Sequence, residues 1–210
     1  MPITEPVTTL TDYLLALMSL FFAVQLFRIS HLHQQTSVLL WALAMAATAA
    51  AALFGGTFHG FALSLDEAQK AAIWKATVYS VGLASLLMLS GTILASISRP
   101  LRQWLLAAAA AKFLVFALWM ATHDDFQYVI YDYAGSMLGV LLLQVLVAYP
   151  RAEVSAAWII AGILASFGAA GVQISGFRRH QHFNHNDLYH VIQMAALYLL
   201  YRGAGVLKDQ

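Results

Sequence analysis

The sequence predicts an all-α membrane protein in which one bundle of seven transmembrane helices forms a single domain over residues 1–210. Three observations lead to this class: 61% of the residues are hydrophobic, only 10% are charged, and seven apolar runs alternate with short polar breaks. A soluble domain usually carries about 25% charged residues. A span through ~30 Å of hydrocarbon needs about 20 apolar residues. Backbone groups in lipid must be satisfied within the segment, so the runs are predicted to be helices.

The seven runs follow one another without a long linker. They cover residues 10–28, 37–60, 72–97, 102–122, 127–149, 155–175 and 187–204. The breaks between them are polar or contain proline, and they lie at 28–37, 64–70, 99–100, 122–125, 149–151 and 176–186. Because the connections are short, consecutive helices should be antiparallel. The N-terminal ends of odd spans should therefore lie on the same side as the C-terminal ends of even spans.

Charge and composition narrow the functional classes. The net charge of +1 gives no indication of nucleic-acid binding, and the absence of cysteine excludes thiolate metal sites and disulfides. Six basic residues near span ends lie on the C-terminal side and four lie on the opposite side, which favours an outside N-terminus and an inside C-terminus. Residues 1–10 lack the basic start of a signal peptide, so we expect a retained first span in a bacterial inner membrane.

Histidines lie at two span ends that alternation places on the same side. His59 closes the second span, and His185 and His190 open the seventh. Ionisable groups at membrane depth are costly and usually functional. Neutral imidazoles that converge in a sheltered place are ligands that Zn²⁺ prefers. The sequence therefore indicates a zinc site near the outer face, where these three histidines can meet.

Three carboxylates are candidates for the base that accepts a proton in such a site. Asp187 lies three positions before His190 and shares its helical face. Asp132 lies inside the fifth span, where an acidic residue is a functional candidate. Asp66 flanks the third span, where a simple loop charge is the alternative interpretation. Lys112 lies in the middle of the fourth span, and both snorkelling and pairing inside the bundle are open for it.

The seven spans, with a histidine near the end of the second and histidines opening the seventh, resemble the CREST superfamily, which contains the alkaline ceramidases and the adiponectin/progestin receptors. The resemblance implies one zinc ion, held by a span-two histidine and two span-seven histidines, with a bound water that attacks a lipid amide or ester. His59 and His190 match this pattern. The superfamily has a serine where this chain has Gly55. The superfamily also has an acidic residue near span three, and Asp66 is the residue of this chain that lies closest to that position.

The seventh span departs from that superfamily pattern. The superfamily has two histidines four positions apart, whereas this chain has Asn186 four positions before His190. We take His185 as the third zinc ligand, reached through a shifted first turn, because five positions correspond to about 140° of rotation in a regular helix. Asn186 and Asp187 are the alternative third ligands.

The predicted function is that of a zinc-dependent, ceramidase-like hydrolase that cleaves a lipid amide or ester within the membrane. The alternative is a non-enzymatic metal-binding receptor or sensor of the same fold, which the missing serine at Gly55 favours. Haem ligation by His59 and His190 ranks third, because it requires facing helices at matching depth. A retinal pigment is disfavoured, since Lys112 lies in the fourth span and Lys208 lies beyond the seventh.

Overall fold

The computed structural model consists of seven long helices and a short two-stranded ribbon before the last helix; it describes residues 3–176, 178–180 and 183–210. The helices are α1 (Pro6–His33), α2 (Thr36–Phe61), α3 (Glu67–Ser96), α4 (Leu101–Thr122), α5 (Phe126–Leu143, continued by a π-helical turn over Gln144–Ala148), α6 (Val154–Ile174) and α7 (His185–Ala204). The strands β1 (Arg178–His180) and β2 (Phe183–Asn184) pair antiparallel. Each predicted run therefore falls on a helix.

Six of the helices in the described residues are long and apolar enough to cross a membrane. These are α1 to α6, with α5 taken together with its π-helical turn. The helix α7 has 20 residues but is less apolar. Its first turns contain His185, Asn186, Asp187, His190 and Gln193, and these polar residues lower its hydropathy.

The helices pack in an order that leaves α4 at the periphery. The helix α2 packs between α1 and α3, and α7 packs against α6 and α1. The main core contains Leu26, Trp41, Met45, Met88, Met137, Ile159, Leu197 and Leu200. The helix α4 buries Ala109, Phe116 and Met120. Two of these side chains form a small second core with Val78 of α3 and Val129 of α5.

Three helices begin with side-chain caps at the same end of the bundle. The capping residues are Asp66 for α3, Asp125 for α5 and Asn184 for α7. Asp66 accepts a hydrogen bond from the backbone N–H of Gln69 at 2.8 Å, and the Gln69 side chain accepts one from the Asp66 N–H at 3.0 Å. Such caps satisfy backbone donors that have no partner inside the helix. Asp66 therefore has a local structural role at the start of α3.

Candidate functional site

The helices α1 and α2 approach each other closely at two glycines of α2. A Cβ atom at Gly56 would lie 2.7 Å from the Cβ of Asp12, and one at Gly60 would lie 2.8 Å from the Oγ1 of Thr9. Real Cβ atoms do not come so close to neighbouring atoms, so both positions require glycine. Small residues four positions apart let membrane helices pack backbone to backbone. This packing holds the polar face of α1 beside the turn of α2 that carries His59.

His190 of α7 contacts α1 through both nitrogen atoms of its ring. Its Nε2 lies 3.1 Å from the Oδ1 of Asp12, and its Nδ1 lies 2.9 Å from the Oγ1 of Thr11. His190 is 8% exposed and Asp12 is 5% exposed, so the contact is well shielded. The sequence predicted a functional role for His190, but both of its partners come from α1.

The Thr11 hydroxyl can support either tautomer of His190. In one arrangement it donates its proton to Nδ1, and Nε2 carries the ring proton and donates to Asp12. In the other, it donates to the backbone carbonyl of Val7 at 3.1 Å or of Thr8 at 3.0 Å and accepts a hydrogen bond from Nδ1–H. Nε2 then presents a lone pair. This second arrangement suits a metal ligand, because a metal-bound imidazole donates its other N–H to a fixed acceptor.

Asp187 joins the first turn of α7 to α1. Its Oδ1 accepts a hydrogen bond from the Thr8 hydroxyl at 2.9 Å, and its Oδ2 accepts one from the Asn184 backbone N–H at 2.8 Å. The side chain is almost fully buried, with a residue exposure of 1%. Both carboxylate oxygens are thus engaged. The structure gives Asp187 the role of fixing α7 against α1, one turn before His190.

A cavity of about 370 Å³ opens beside these residues. Its polar lining includes Asp12, His59, Asn186, His190 and Gln193. Its apolar and aromatic lining includes Phe58, Trp74, Val81, Phe126, Ile130 and Phe167. These five polar residues come from the N-terminal halves of α1 and α7 and the C-terminal end of α2. The expectation that these helix ends share one side is therefore confirmed.

Asp12 has one oxygen atom that the protein leaves unsatisfied. Its Oδ2 is buried and lacks a hydrogen-bond partner among the described residues. A buried carboxylate without a compensating partner is costly. A cation or a hydrogen-bond donor on a ligand would satisfy this oxygen, and Asp12 also lines the cavity. This combination distinguishes Asp12 from the other buried acidic side chains.

His59 lines the same cavity but turns toward the start of α1. Its Nδ1 lies 3.6 Å from the Oε2 of Glu5, and its side chain is 35% exposed. Over residues 3–176, 178–180 and 183–210, no three His, Asp or Glu side chains are arranged as a metal-binding group. Asp12, His59 and His190 share a cavity without converging on one point.

Other predicted residues lie away from the cavity lining. His185 is the first residue of α7 and does not line the cavity. Asp132 faces α3 and α4, where its Oδ1 accepts a hydrogen bond from Lys112 and its Oδ2 accepts one from the Ser85 hydroxyl at 2.6 Å. Lys112 therefore pairs inside the bundle. The roles of His185 as a ligand and of Asp66, Asp132 and Asp187 as bases stay predictions, and the contacts of these residues add no support to them.

The polar face of α1 was missed by the sequence reasoning. Glu5, Thr8, Thr11 and Asp12 follow one another at helical spacing, so they share one face of α1. The signal that could have found this face is Asp12, an acidic residue within an apolar run.

A family of unknown function, DUF6962, matches residues 7–209 of the chain. The chain belongs to this family. The match runs from the first turn of α1 to the segment after α7, so it includes Asp12, His59 and His190. No curated protein and no solved structure matches the chain. The function of this DUF6962 protein is therefore argued from its site.

Proposed function

We propose that this DUF6962 protein is a zinc-dependent intramembrane hydrolase that cleaves an amide or ester bond of a membrane lipid. The observation that carries the proposal is the buried Oδ2 of Asp12, which lacks a partner among the described residues. Asp12 lines a cavity together with His59 and His190. The cavity volume of about 370 Å³ suits a small-molecule site with mostly apolar walls. A lipid would place its chain against those walls and its head group at the polar end.

Asp12 and His190, whose Oδ1 and Nε2 lie 3.1 Å apart, would hold the zinc ion. His59 would be the third ligand, and its side chain would have to turn from Glu5 toward them. Two imidazoles and one carboxylate form a donor set typical of catalytic zinc sites, which keep one position open. The unpartnered oxygen of Asp12 fits a cation, because a nearby positive charge offsets the cost of burying a carboxylate. When bound, zinc supplies a Lewis acid that polarises a carbonyl group and lowers the pKa of water.

Other side chains of the site hold and orient these groups. Thr11 fixes the imidazole ring of His190, and Asp187 holds the first turn of α7 against α1. Asn186 and Gln193 line the cavity and carry N–H donors. Donors fixed in a shielded site stabilise the negative charge that develops on a carbonyl oxygen during acyl transfer. We assign that role to these two amides.

The proposal includes an arrangement in the membrane. We infer that α7 is a seventh span, because it packs along α6 and α1. The distribution of basic residues favours an outside N-terminus and an inside C-terminus, with the polar end of the cavity near the outer face of a bacterial inner membrane. This arrangement resembles the CREST superfamily, with Asp12 of α1 in place of one span-seven histidine.

Lipid hydrolysis by the purified protein tests the proposal. The protein, loaded with Zn²⁺ in detergent, is incubated with a ceramide and with a long-chain acyl ester, and the released fatty acid is measured. We expect at least one substrate to be hydrolysed, with the rate lowered by about 100-fold or more in His190→Ala and Asp12→Asn. His31→Ala, at the exposed opposite end of the bundle, should leave the rate unchanged. A folded, zinc-loaded protein that releases no fatty acid from either substrate would reject the enzymatic proposal.

A non-enzymatic lipid receptor or sensor is the second candidate, and a specific observation favours it. Gly55 lies where the CREST superfamily has a serine, so this chain lacks that hydroxyl group. The three predicted bases, Asp66, Asp132 and Asp187, are also engaged in hydrogen bonds within the protein. Zinc and lipid that are retained together without release of fatty acid would support this candidate over the hydrolase.

A further inference from the structure

A second cavity lies at the opposite end of the bundle from Asp12 and His190. It has a volume of about 330 Å³ and lies between the end of α1, the start of α2 and the segment that follows α7. Its lining combines apolar side chains with two that can carry positive charge, namely Ile29, Val38, Val206 and Leu207 with His33 and Lys208. Cations beside an apolar wall at a membrane-facing helix end suit a molecule with an anionic head and a hydrocarbon tail.

Local hydrogen bonds fix the backbone around this second cavity. The turn between α1 and α2 is held by the Ser30 hydroxyl, which donates to the carbonyl of Gln35 at 2.8 Å. The segment after α7 is attached to α2 by Asp209, which accepts hydrogen bonds from the N–H groups of Thr36 at 2.8 Å and Ser37 at 2.9 Å. The cavity is therefore bounded by anchored chain segments.

The charges at this end favour an anion. The basic residues here are Arg28, Arg99, Arg102, Arg151, Arg202 and Lys208, and the acidic ones are Glu153 and Asp209. The Oε1 of Glu153 lies 3.9 Å from a guanidinium nitrogen of Arg151. Both carboxylate oxygens of Asp209 accept hydrogen bonds from backbone N–H groups at the start of α2. In the part of the chain that the structure describes, His33 and Lys208 form no ion pair. An anion near Lys208 would thus meet little competition from carboxylates.

We propose that this second cavity binds the phosphate-containing head group of an anionic glycerophospholipid, with Lys208 and His33 beside the phosphate. Ile29, Val38 and Val206 would contact the apolar part of the lipid next to the head group. The anionic leaflet attracts basic residues near the membrane surface, and pockets of this kind between helices hold acidic head groups. The inference does not depend on hydrolase activity, because the two cavities share no lining residue. It rests on the proposed orientation, which places this end at the anionic cytoplasmic leaflet.

Lipid retention by the intact protein tests this inference. The protein is placed in mixed micelles with phosphatidylglycerol or phosphatidylcholine, and the bound lipid is counted by native mass spectrometry. We expect phosphatidylglycerol to be preferred by about tenfold in the wild type, and the preference to disappear in the double variant His33→Gln/Lys208→Gln. Lys208→Arg keeps the charge and should keep the preference. Lys70→Gln removes one cation at the other end, where Lys70 pairs with Glu67, and should also keep it.

Three outcomes would overturn the inference. The first is an unchanged preference for phosphatidylglycerol in the double variant. The second is an equal loss of preference in Lys70→Gln, which would make the effect one of overall charge. The third is full displacement of phosphatidylglycerol by millimolar inorganic phosphate, which would assign the site to a free anion. If the double variant does not fold, Lys208→Gln alone is compared with Lys208→Arg by the same criteria.

Discussion

Two pairs of ionisable side chains lie within apolar helices in the part of the chain that the structure describes, and their environments differ. Asp12 and His190 meet at 3.1 Å beside the cavity, and Asp12 keeps one buried oxygen without a partner among the described residues. Lys112 and Asp132 form an ion pair between α4 and α5. There Ser85 satisfies the second carboxylate oxygen at 2.6 Å, and neither residue of the pair lines the cavity.

The difference between Asp12 and Asp132 shows that an unsatisfied carboxylate oxygen, rather than an acidic residue alone, indicates a binding site. An ionisable residue in a span is a functional candidate because of its cost in lipid. Asp132 offsets that cost with Lys112 and Ser85, and the result fastens the peripheral helix α4 to the bundle. Asp12 does not offset that cost fully, because its buried Oδ2 has no partner among the described residues, and Asp12 lines the cavity. An acidic residue in a span therefore indicates a binding site when a carboxylate oxygen is left for a ligand.

Separating the Lys112–Asp132 pair should have the largest effect on stability. Lys112→Met leaves the Asp132 carboxylate, whose side chain is 5% exposed, without its cation, and breaking a buried pair costs about 3 kcal/mol. The double variant Lys112→Met/Asp132→Leu should recover most of that loss, because an apolar pair leaves no charge unpaired. Unfolding in detergent followed by circular dichroism measures both. As a control, the double variant should still bind metal. If Lys112→Met were as stable as the wild type, the pair would not fasten α4 to the bundle.

Gly56→Ala should destabilise the protein and disturb the contact between Asp12 and His190, because the new methyl group overpacks the interface between α1 and α2. The new Cβ would lie 2.7 Å from the Cβ of Asp12, so α1 must move away from α2. Overpacking of this kind costs about 2 kcal/mol. The adjacent Gly55→Ala is the matched control, because its Cβ would have its nearest contact at 3.9 Å, with Thr77. Equal melting temperatures for the two variants would argue against the close approach of α1 and α2.

Thr11→Val should weaken metal binding by about tenfold, as expected when a residue that orients a metal-bound histidine is lost. Valine keeps the shape of threonine but cannot accept the hydrogen bond from the Nδ1–H of His190. Thr11→Ser restores the hydroxyl group and should restore the affinity. Zinc titration against a competing chelator measures the change. Wild-type affinity in Thr11→Val would remove the orienting role of Thr11 while leaving the metal proposal intact.

Asp209→Asn should have the smallest effect on stability, and this effect should depend on pH. Partial burial raises the pKa of its carboxyl group, but hydrogen bonds from Ser37 and Thr36 outweigh this and lower the pKa below 3.8. The contribution of this group to stability is therefore complete above pH 3.8 and is lost as the pH falls through the lower folded-state pKa. The melting temperature of the wild type should exceed that of Asp209→Asn at neutral pH and converge with it in strong acid. A difference that persists in acid would contradict the role of the charge.

The positions of the helices could be predicted from the sequence, because apolar runs and polar breaks determine where a chain can cross lipid. The grouping of His59 and His190 at one end followed from antiparallel alternation alone. The partners of His190 could not be predicted in this way. They depend on the rotation of α1 and on its distance from α2, which Gly56 and Gly60 permit. The contact between His190 and a carboxylate of α1 could therefore not be foreseen from the spacing of polar residues on α7.

The zinc content of two aspartate variants tests most directly whether Asp12 is a ligand of a zinc ion. The wild type, Asp12→Asn and Lys112→Met/Asp132→Leu are purified in detergent, supplied with Zn²⁺, freed of excess ion and analysed for zinc per chain. We expect about one zinc ion in the wild type and in the double variant, and none in a folded Asp12→Asn protein. Full retention of zinc by Asp12→Asn, or a folded wild type that binds no zinc, would contradict this expectation.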